Sequence, residues 1–145
     1  REIIDGELIV SPSASRWHQE QVATVYELFR DAGAGIGQAW FAPLDVRLSE
    51  YDSVQPDVLF IRNERFHIWA KDDRITGAPD IVVEVVSPTT AQHDRVRKFA
   101  LYARAGVPEY WILDYRDRSF SINELRDGRY HAVLPEPDGR VRSRV

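Results

Sequence analysis

The sequence contains no cysteine, and this absence removes three classes of site. A disulfide framework, a thiolate zinc site and a cysteine nucleophile all require that side chain.

Long apolar runs are also missing. No stretch of about 18 apolar residues and no signal-peptide pattern occurs, so neither a membrane span nor export is indicated. We therefore expect a cytoplasmic protein.

Methionine is absent as well, so the chain has no initiator residue. Its first residues already have the character of a strand, and we expect that the N-terminus is truncated.

Positive charge is in slight deficit, with 19 lysines and arginines against 23 aspartates and glutamates and a net charge of -4. This balance argues against a protein coated in basic charge for nucleic acid, but it is compatible with an acidic nuclease site that has local basic contacts.

The length of 145 residues and the hydrophobic fraction of 43% are those of one globular domain with its own core. Asp5-Gly6 and Asp127-Gly128 each separate two short apolar segments, which predicts two hairpins. Helical spacing and capping signals predict helices over residues 16–31 and 91–105. We expect residues 135–145 to form a loosely attached tail.

Three further apolar segments predict strands between and after the helices. Residues 38–48 are predicted to be one strand bent at Pro43, and residues 58–61 and 109–114 are predicted to be two more. Together with the hairpins these segments predict a mixed sheet with helices packed on it. The expected fold class is therefore α/β or α+β, in a single domain over residues 1–145.

Glu84 lies within residues 80–86, the most apolar run of the chain. Side chains alternate along a strand, so Asp80, Val82 and Glu84 share one face. A buried carboxylate must be paired, protonated or bound to a cation, because an isolated buried charge is very costly. Glu84 is thus either one half of a buried ion pair or a metal-binding or catalytic carboxylate.

Asp57 is a second carboxylate at the start of the strand that precedes Glu84, directly after Pro56. Two carboxylates on adjacent strands can hold one hard divalent cation, and oxygen ligands suit Mg²⁺ or Mn²⁺. Such a cation polarises a phosphodiester and activates a bound water. Lys98, in the helix after Glu84, is placed to supply the fixed positive charge that phosphoryl chemistry also needs.

Pro56-Asp57, Glu84 and Lys98 together resemble the PD-(D/E)XK nuclease superfamily, which has the restriction-endonuclease-like fold. Val86 stands where the usual tripeptide has its lysine, and some branches of the superfamily carry that lysine on the following helix. The chain is also similar to a bacterial family of proposed restriction endonucleases, long known as a domain of unknown function. The segments that carry this likeness are residues 4–8, 11–13, His18, and residues 42–48, 55–58, 77–88, 98–107 and 109–111.

The resemblance implies a restriction-endonuclease-like domain in which Asp57 and Glu84 bind Mg²⁺ or Mn²⁺ and Lys98 is the catalytic lysine. It implies a metal-dependent endonuclease whose partner is nucleic acid, most simply DNA. A homodimer is a further hypothesis, because many nucleases must cut two strands. The alternative is a catalytically inactive nucleic-acid-binding or protein-interaction module on the same fold, which the net acidity and the missing tripeptide lysine keep open.

Several other residues are candidates for contacts around the site or with substrate: Glu7, His18, Asp80, Ser87 and Tyr102. Each of them can instead have a structural role. His18 lies at the start of a helix, and Asp80 and Ser87 flank a strand, where turn residues are common. The superfamily often has an additional early acidic residue, and Glu7, Glu20 and Glu27 remain equal candidates for it.

Lys98 itself has two interpretations. The apolar stripe of its helix is formed by Val96, Phe99, Ala100 and Ala103, and Lys98 points away from that stripe, on the side of Tyr102. Periodicity alone therefore predicts a surface lysine. The resemblance predicts that the same side faces the cleft.

Overall fold

The computed structural model describes residues 1–10, 13–69, 74–86, 91–114 and 118–145, with the side chains of residues 91–95 excepted. Eleven strands and two α-helices follow one another in these ranges: β1 Glu2–Ile4, β2 Glu7–Ile9, α1 Arg16–Ala32, β3 Gly37–Phe41, β4 Val46–Arg47, β5 Ser53–Val54, β6 Val58–Arg62, β7 Ile75–Thr76, β8 Ile81–Val86, α2 Ala91–Ala105, β9 Glu109–Asp114, β10 Ser119–Arg126 and β11 Arg129–Ala132. A short 3-10 helix, Asn63–Ile68, follows β6. None of the described helices is long and apolar enough to cross a membrane.

The central sheet has six strands in the order β11-β10-β9-β8-β6-β3. Strands β8 and β9 are parallel, whereas β6–β8, β9–β10, β10–β11 and β3–β6 are antiparallel. The parallel pair needs a crossover, and α2 supplies it. The sheet is therefore mixed, as the sequence predicts, and the hairpin across Asp127-Gly128 is present with both residues at positive φ.

A second sheet has five short strands in the order β2-β1-β5-β4-β7. The prediction of one bent strand over residues 38–48 is wrong, because β3 lies at the edge of the central sheet and β4 lies in the second sheet. The chain leaves the central sheet at Ala42, whose N–H donates to the carbonyl of Asp57, and a cis Ala42–Pro43 peptide follows. Apolar spacing does not show which partner strand each half will find.

Helix α1 covers one face of the central sheet. Ser15 caps its first turn by accepting from the His18 N–H, and Gly33 ends it by donating to the Phe29 carbonyl. Its buried side chains include Phe29, which makes edge contacts with the rings of Phe60 and Trp111. Gly33 packs so closely on Phe60 that a Cβ there would overlap the ring.

Helix α2 shares the opposite core with both sheets. Leu101 and Tyr102 are fully buried and pack in one cluster with Leu59 and Val82 of the central sheet and Val54 of the second. The helix face predicted from periodicity is only partly correct. Phe99 packs against this core, but Val96 is 67% exposed and Ala100 is exposed. The buried face of α2 instead carries Lys98, Leu101 and Tyr102.

The end of the chain, which the sequence predicts to be loosely attached, contacts the central sheet. Glu109 is buried at the start of β9, and its carboxylate accepts from Ser143 Oγ at 2.9 Å and from the Arg144 N–H at 2.6 Å. Val141 and Val145 pack against the core on the α1 side.

Candidate active site

Glu84 lies in the middle of β8, and its side chain is 12% exposed. Its two carboxylate oxygens each accept from Lys98 Nζ at 3.0 Å, and Oε1 also accepts from the Tyr102 hydroxyl at 2.7 Å. Lys98 and Tyr102 are four positions apart on α2, so they present donors from the same helix face. The crossover helix thus closes directly over the carboxylate of the strand that it follows.

Asp57 immediately precedes β6, which is antiparallel to β8 with Val58 opposite Val83. Continuing that register by one step places Asp57 opposite Glu84, as expected for two carboxylates on neighbouring strands. Asp57 Oδ2 accepts from the Val85 N–H at 2.7 Å and lies 3.2 Å from His18 Nε2. Among the described residues, Asp57 Oδ1 has no hydrogen-bond partner, so one oxygen of the carboxylate is fixed and the other is available.

His18 reaches this pair from the first turn of α1. Its hydrogen bond to Asp57 raises the pKa of the imidazole, and the charges of Asp57 and Glu84 raise it further against the opposing effect of burial. Nδ1 of the same ring is buried without a hydrogen-bond partner among the described residues. His18, one of the candidates from sequence, therefore lies at the site as the partner of Asp57.

Glu2 is a member of the cluster that sequence reasoning missed. It is buried on β1 of the second sheet, and Oε2 forms an ion pair with Lys98 Nζ at 3.0 Å. Oε1 accepts from the Gln55 N–H at 2.9 Å. The signal was present in the sequence, because alternation places Glu2 on the same face as Ile4, which is fully buried.

Negative charge is in excess in this cluster, which contains three carboxylates (Asp57, Glu84 and Glu2) and two basic side chains. Burial and the charges of Asp57 and Glu2 raise the pKa of Glu84 from 4.5 to about 7, although Lys98 and Tyr102 oppose the rise. Burial lowers the pKa of Lys98, but Glu84 and Glu2 outweigh burial and raise it above its usual value. Burial also raises the pKa of Tyr102, which stays neutral as a donor. Such a cluster favours an additional cation.

Comparison with known proteins identifies the family. The family model described as "Uma2: Putative restriction endonuclease" matches residues 1–144. The chain belongs to the Uma2 family. No curated protein matches it. Among solved structures, the chain is similar to "a putative nuclease belonging to DUF820 from Anabaena variabilis ATCC 29413", with 17% sequence identity, a TM-score of 0.76, and coverage of 94% of this chain and 81% of that one. The predicted family and the restriction-endonuclease-like, single-domain fold are confirmed.

The Uma2 family implies a divalent metal, and the donor set tests whether one fits. In the part of the chain that the structure describes, no three histidine, cysteine, aspartate or glutamate side chains form a group that could hold a metal ion by themselves. Asp57 nevertheless offers, opposite Glu84, an oxygen without a hydrogen-bond partner among the described residues. Burial and the charges of Asp57 and Glu2 raise the pKa of Glu84 to about 7, and a bound cation would offset that repulsion. Two carboxylates supplemented by water are a donor set typical of Mg²⁺, so the residues fit a cation of that kind.

The remaining candidates from sequence have other partners in this Uma2 chain. Glu7 is exposed and pairs with Arg97 at 2.7 Å, and Glu20 is exposed and lies 3.6 Å from Arg16. Glu27 is exposed on α1. The early acidic residue that contacts the cluster is thus Glu2. The three predicted candidates, Glu7, Glu20 and Glu27, do not contact it.

Asp80 is not brought to Glu84. Asp80 is buried, accepts from the Arg62 N–H at 2.9 Å and pairs with Arg65 at 2.8 Å, which anchors the start of β8. It lies four positions before Glu84, about 13 Å along the strand. Ser87 lies outside the described residues. Of the four candidates that the structure describes, His18 and Tyr102 contact the carboxylate pair.

Proposed function

We propose that this member of the Uma2 family is a metal-dependent endonuclease that hydrolyses phosphodiester bonds of DNA. Asp57 and Glu84 would bind Mg²⁺ or Mn²⁺, and Lys98 would be the catalytic lysine. The observation that carries the proposal is the 3.0 Å approach of Lys98 Nζ to both oxygens of Glu84. This contact supports the proposal that Lys98 on α2 replaces the catalytic lysine of the usual tripeptide, whose position is occupied by Val86. Two such domains in a homodimer would allow both strands of a duplex to be cut.

Each residue has a definite task in this proposal. A bound divalent cation would polarise the phosphodiester and lower the pKa of an attacking water. Lys98 places a compact positive charge beside Glu84, where it stabilises negative charge that develops on the phosphate. Tyr102 holds Glu84 Oε1 in place, and His18 and the Val85 N–H hold Asp57 Oδ2. Asp57 Oδ1, which has no hydrogen-bond partner among the described residues, would be the oxygen that binds the cation.

One observation favours the rival function, an inactive binding module. Lys98 already bridges Glu84 and Glu2, and such a network can be a purely structural ion-pair cluster that needs no cation. The two functions differ in whether the protein cleaves nucleic acid when a divalent cation is supplied.

The decisive experiment is cleavage of a panel of single-stranded, duplex and branched DNA, with RNA included, in Mg²⁺, Mn²⁺ or EDTA. We expect cleavage of DNA that EDTA abolishes and that Asp57→Asn reduces by at least about 100-fold, since that change removes a ligand charge from the site. Asp31→Asn, at an exposed position of α1, is the matched control. Cation binding without cleavage of any substrate would establish the module instead, and absence of cation binding would leave only the structural ion pair.

Cation affinity should rise steeply with pH around neutrality. Glu84 has a pKa of about 7 in the folded protein, so a cation must displace a proton at lower pH, at a cost of about tenfold in affinity per pH unit. The hydrogen bond to Asp57 raises the pKa of His18, and the protonated imidazole would repel the cation and make the dependence steeper. Calorimetric titration of Mn²⁺ between pH 5.5 and 8.5, in buffers of different ionisation enthalpy, measures both affinity and released protons. Constant affinity and no proton release across this range would contradict the prediction.

A further inference from the structure

Lys98 is held between two carboxylates that belong to different sheets. Its Nζ lies 3.0 Å from Glu84 Oε1 in the central sheet and 3.0 Å from Glu2 Oε2 in the second sheet. All three side chains are nearly buried, with exposed fractions of 13% for Lys98, 12% for Glu84 and 7% for Glu2. The Lys98 ammonium is thus equally close to Glu84 and Glu2, although a single carboxylate would neutralise its charge.

Glu2 is fixed by contacts that do not involve the lysine. Its Oε1 accepts from the Gln55 N–H at 2.9 Å, and β1, which carries it, pairs with β5 through Ile3 and Ser53. Its other oxygen is therefore presented to Lys98 by the backbone of the second sheet. None of these contacts involves Glu84.

A cation bound by Glu84 would compete with the ammonium for the same two oxygens. Both are positive, and within a few ångströms in a buried site they repel strongly. An ammonium that lost Glu84 without another partner would be a buried unpaired charge, which is costly. Glu2 offers a second partner at the same distance, so the ammonium keeps a compensating charge in place.

We propose that Glu2 is a positioning residue that holds Lys98 at the site when Glu84 binds a divalent cation. The inference rests on the proposed function, since it takes Glu84 as a ligand. Glu2 acts through Lys98: it lowers the competition between lysine and cation for Glu84 and keeps the lysine beside the reacting phosphate. Two other roles predict different results, namely a direct ligand of the cation and a purely structural acceptor for Gln55.

The test is a double-mutant cycle in which Mn²⁺ binding to the intact chain is measured by calorimetry at pH 8. Glu2→Gln keeps an oxygen for the Gln55 N–H and removes the charge that holds Lys98. We expect it to weaken Mn²⁺ binding by about 10- to 100-fold, as changes behind a metal ligand typically do. In a Lys98→Met background the competitor is absent, and the loss caused by Glu2→Gln should be at least about fivefold smaller.

The other roles give distinct outcomes. A direct ligand would lose the same factor in both backgrounds. A purely structural acceptor would lose no Mn²⁺ affinity in either, because Glu2→Gln keeps the oxygen that accepts from the Gln55 N–H. Either result would overturn the proposal. Glu2→Asp provides a second variant: it keeps the negative charge but draws it back from Lys98, so positioning predicts weaker binding and a general effect of charge predicts none. Glu50→Gln, at an exposed position, is the control for lost charge.

Failure of this inference is separable from failure of the proposed function. If the parent protein binds no Mn²⁺, the proposed function is wrong. If the parent binds Mn²⁺ and Glu2→Gln binds it equally well, the metal site stands and only the role of Glu2 is wrong.

Discussion

Replacing Lys98 by methionine should reduce Mg²⁺-dependent cleavage by about 100- to 1000-fold, the loss expected for one preorganised electrostatic donor. Methionine has a similar length and keeps the packing of the stem between the two sheets, but it has no charge. Cation affinity should not fall, because the ammonium competes with the cation for the oxygens of Glu84. The measurement is initial cleavage rate at saturating Mg²⁺, beside calorimetric affinity for Mn²⁺.

Two further variants sharpen this prediction. Lys98→Arg keeps the positive charge in a planar, forked group that does not replace a compact ammonium, and we expect it to restore little of the rate. Arg129→Ala, at an exposed position of β11, removes a positive charge from the far edge of the central sheet and is the control. Parent-like cleavage by Lys98→Met would remove Lys98 from the mechanism.

Glu84→Gln should abolish measurable divalent-cation binding while leaving the fold intact. The substitution removes a ligand charge but keeps an oxygen that can accept from Lys98 and Tyr102. Lys98 also retains its ion pair with Glu2, so no charge is left buried and unpaired. A site made only of a structural Glu84–Lys98 pair would instead lose roughly 3–5 kcal/mol of stability when the pair is broken.

The stability of the Glu84→Gln protein relative to the parent should increase with pH. The pKa of Glu84 is raised in the folded state, so its contribution to stability is fully present below 4.5 and is lost as pH rises through about 7. The difference between these two values corresponds to at most about 3 kcal/mol. Glutamine has no such proton, so the variant should match the parent near pH 4.5 and equal or exceed it at pH 8.

Urea denaturation of the metal-free proteins at pH 4.5, 6 and 8 measures this difference directly. Asp31→Asn, which removes an exposed carboxylate, serves as the control for lost negative charge. A variant that becomes less stable than the parent as pH rises would show that the ion pair with Lys98 outweighs the repulsion from Asp57 and Glu2.

The parts of the fold that local chemistry specifies could be predicted from the sequence. The Asp127-Gly128 hairpin was predictable because both residues tolerate positive φ, and helix α1 because its apolar stripe and caps agree. The division of residues 38–48 between two sheets could not be predicted, since partner strands are chosen by contacts far apart in the chain. The second sheet as a whole consists of strands of two or three residues, too short to show a period.

The site was only partly predictable for a different reason. Asp57 and Glu84 could be found because a carboxylate in or beside an apolar strand conflicts with its surroundings. Glu2 is also a carboxylate in an apolar strand, but it was not identified. Its strand has only three residues, which are too few to show the alternation of a buried face. Periodicity alone predicts Lys98 at the surface, whereas the resemblance predicts it on the side of the cleft, where it lies. A functional site needs a polar residue on the core side of a helix, and periodicity interprets such a residue as exposed.

The position of Lys98 on the crossover helix has a consequence for folding. In a strand tripeptide, glutamate and lysine come into register together as soon as the strand forms. Here Glu84, Lys98 and Glu2 come from the central sheet, α2 and the second sheet, so they meet only after all three have docked. Loop closure over almost the whole domain must precede that meeting, which makes it a late event. A nascent or partly unfolded chain would therefore carry its acidic residues but no assembled cluster, and any cleavage activity would belong to the completed domain alone.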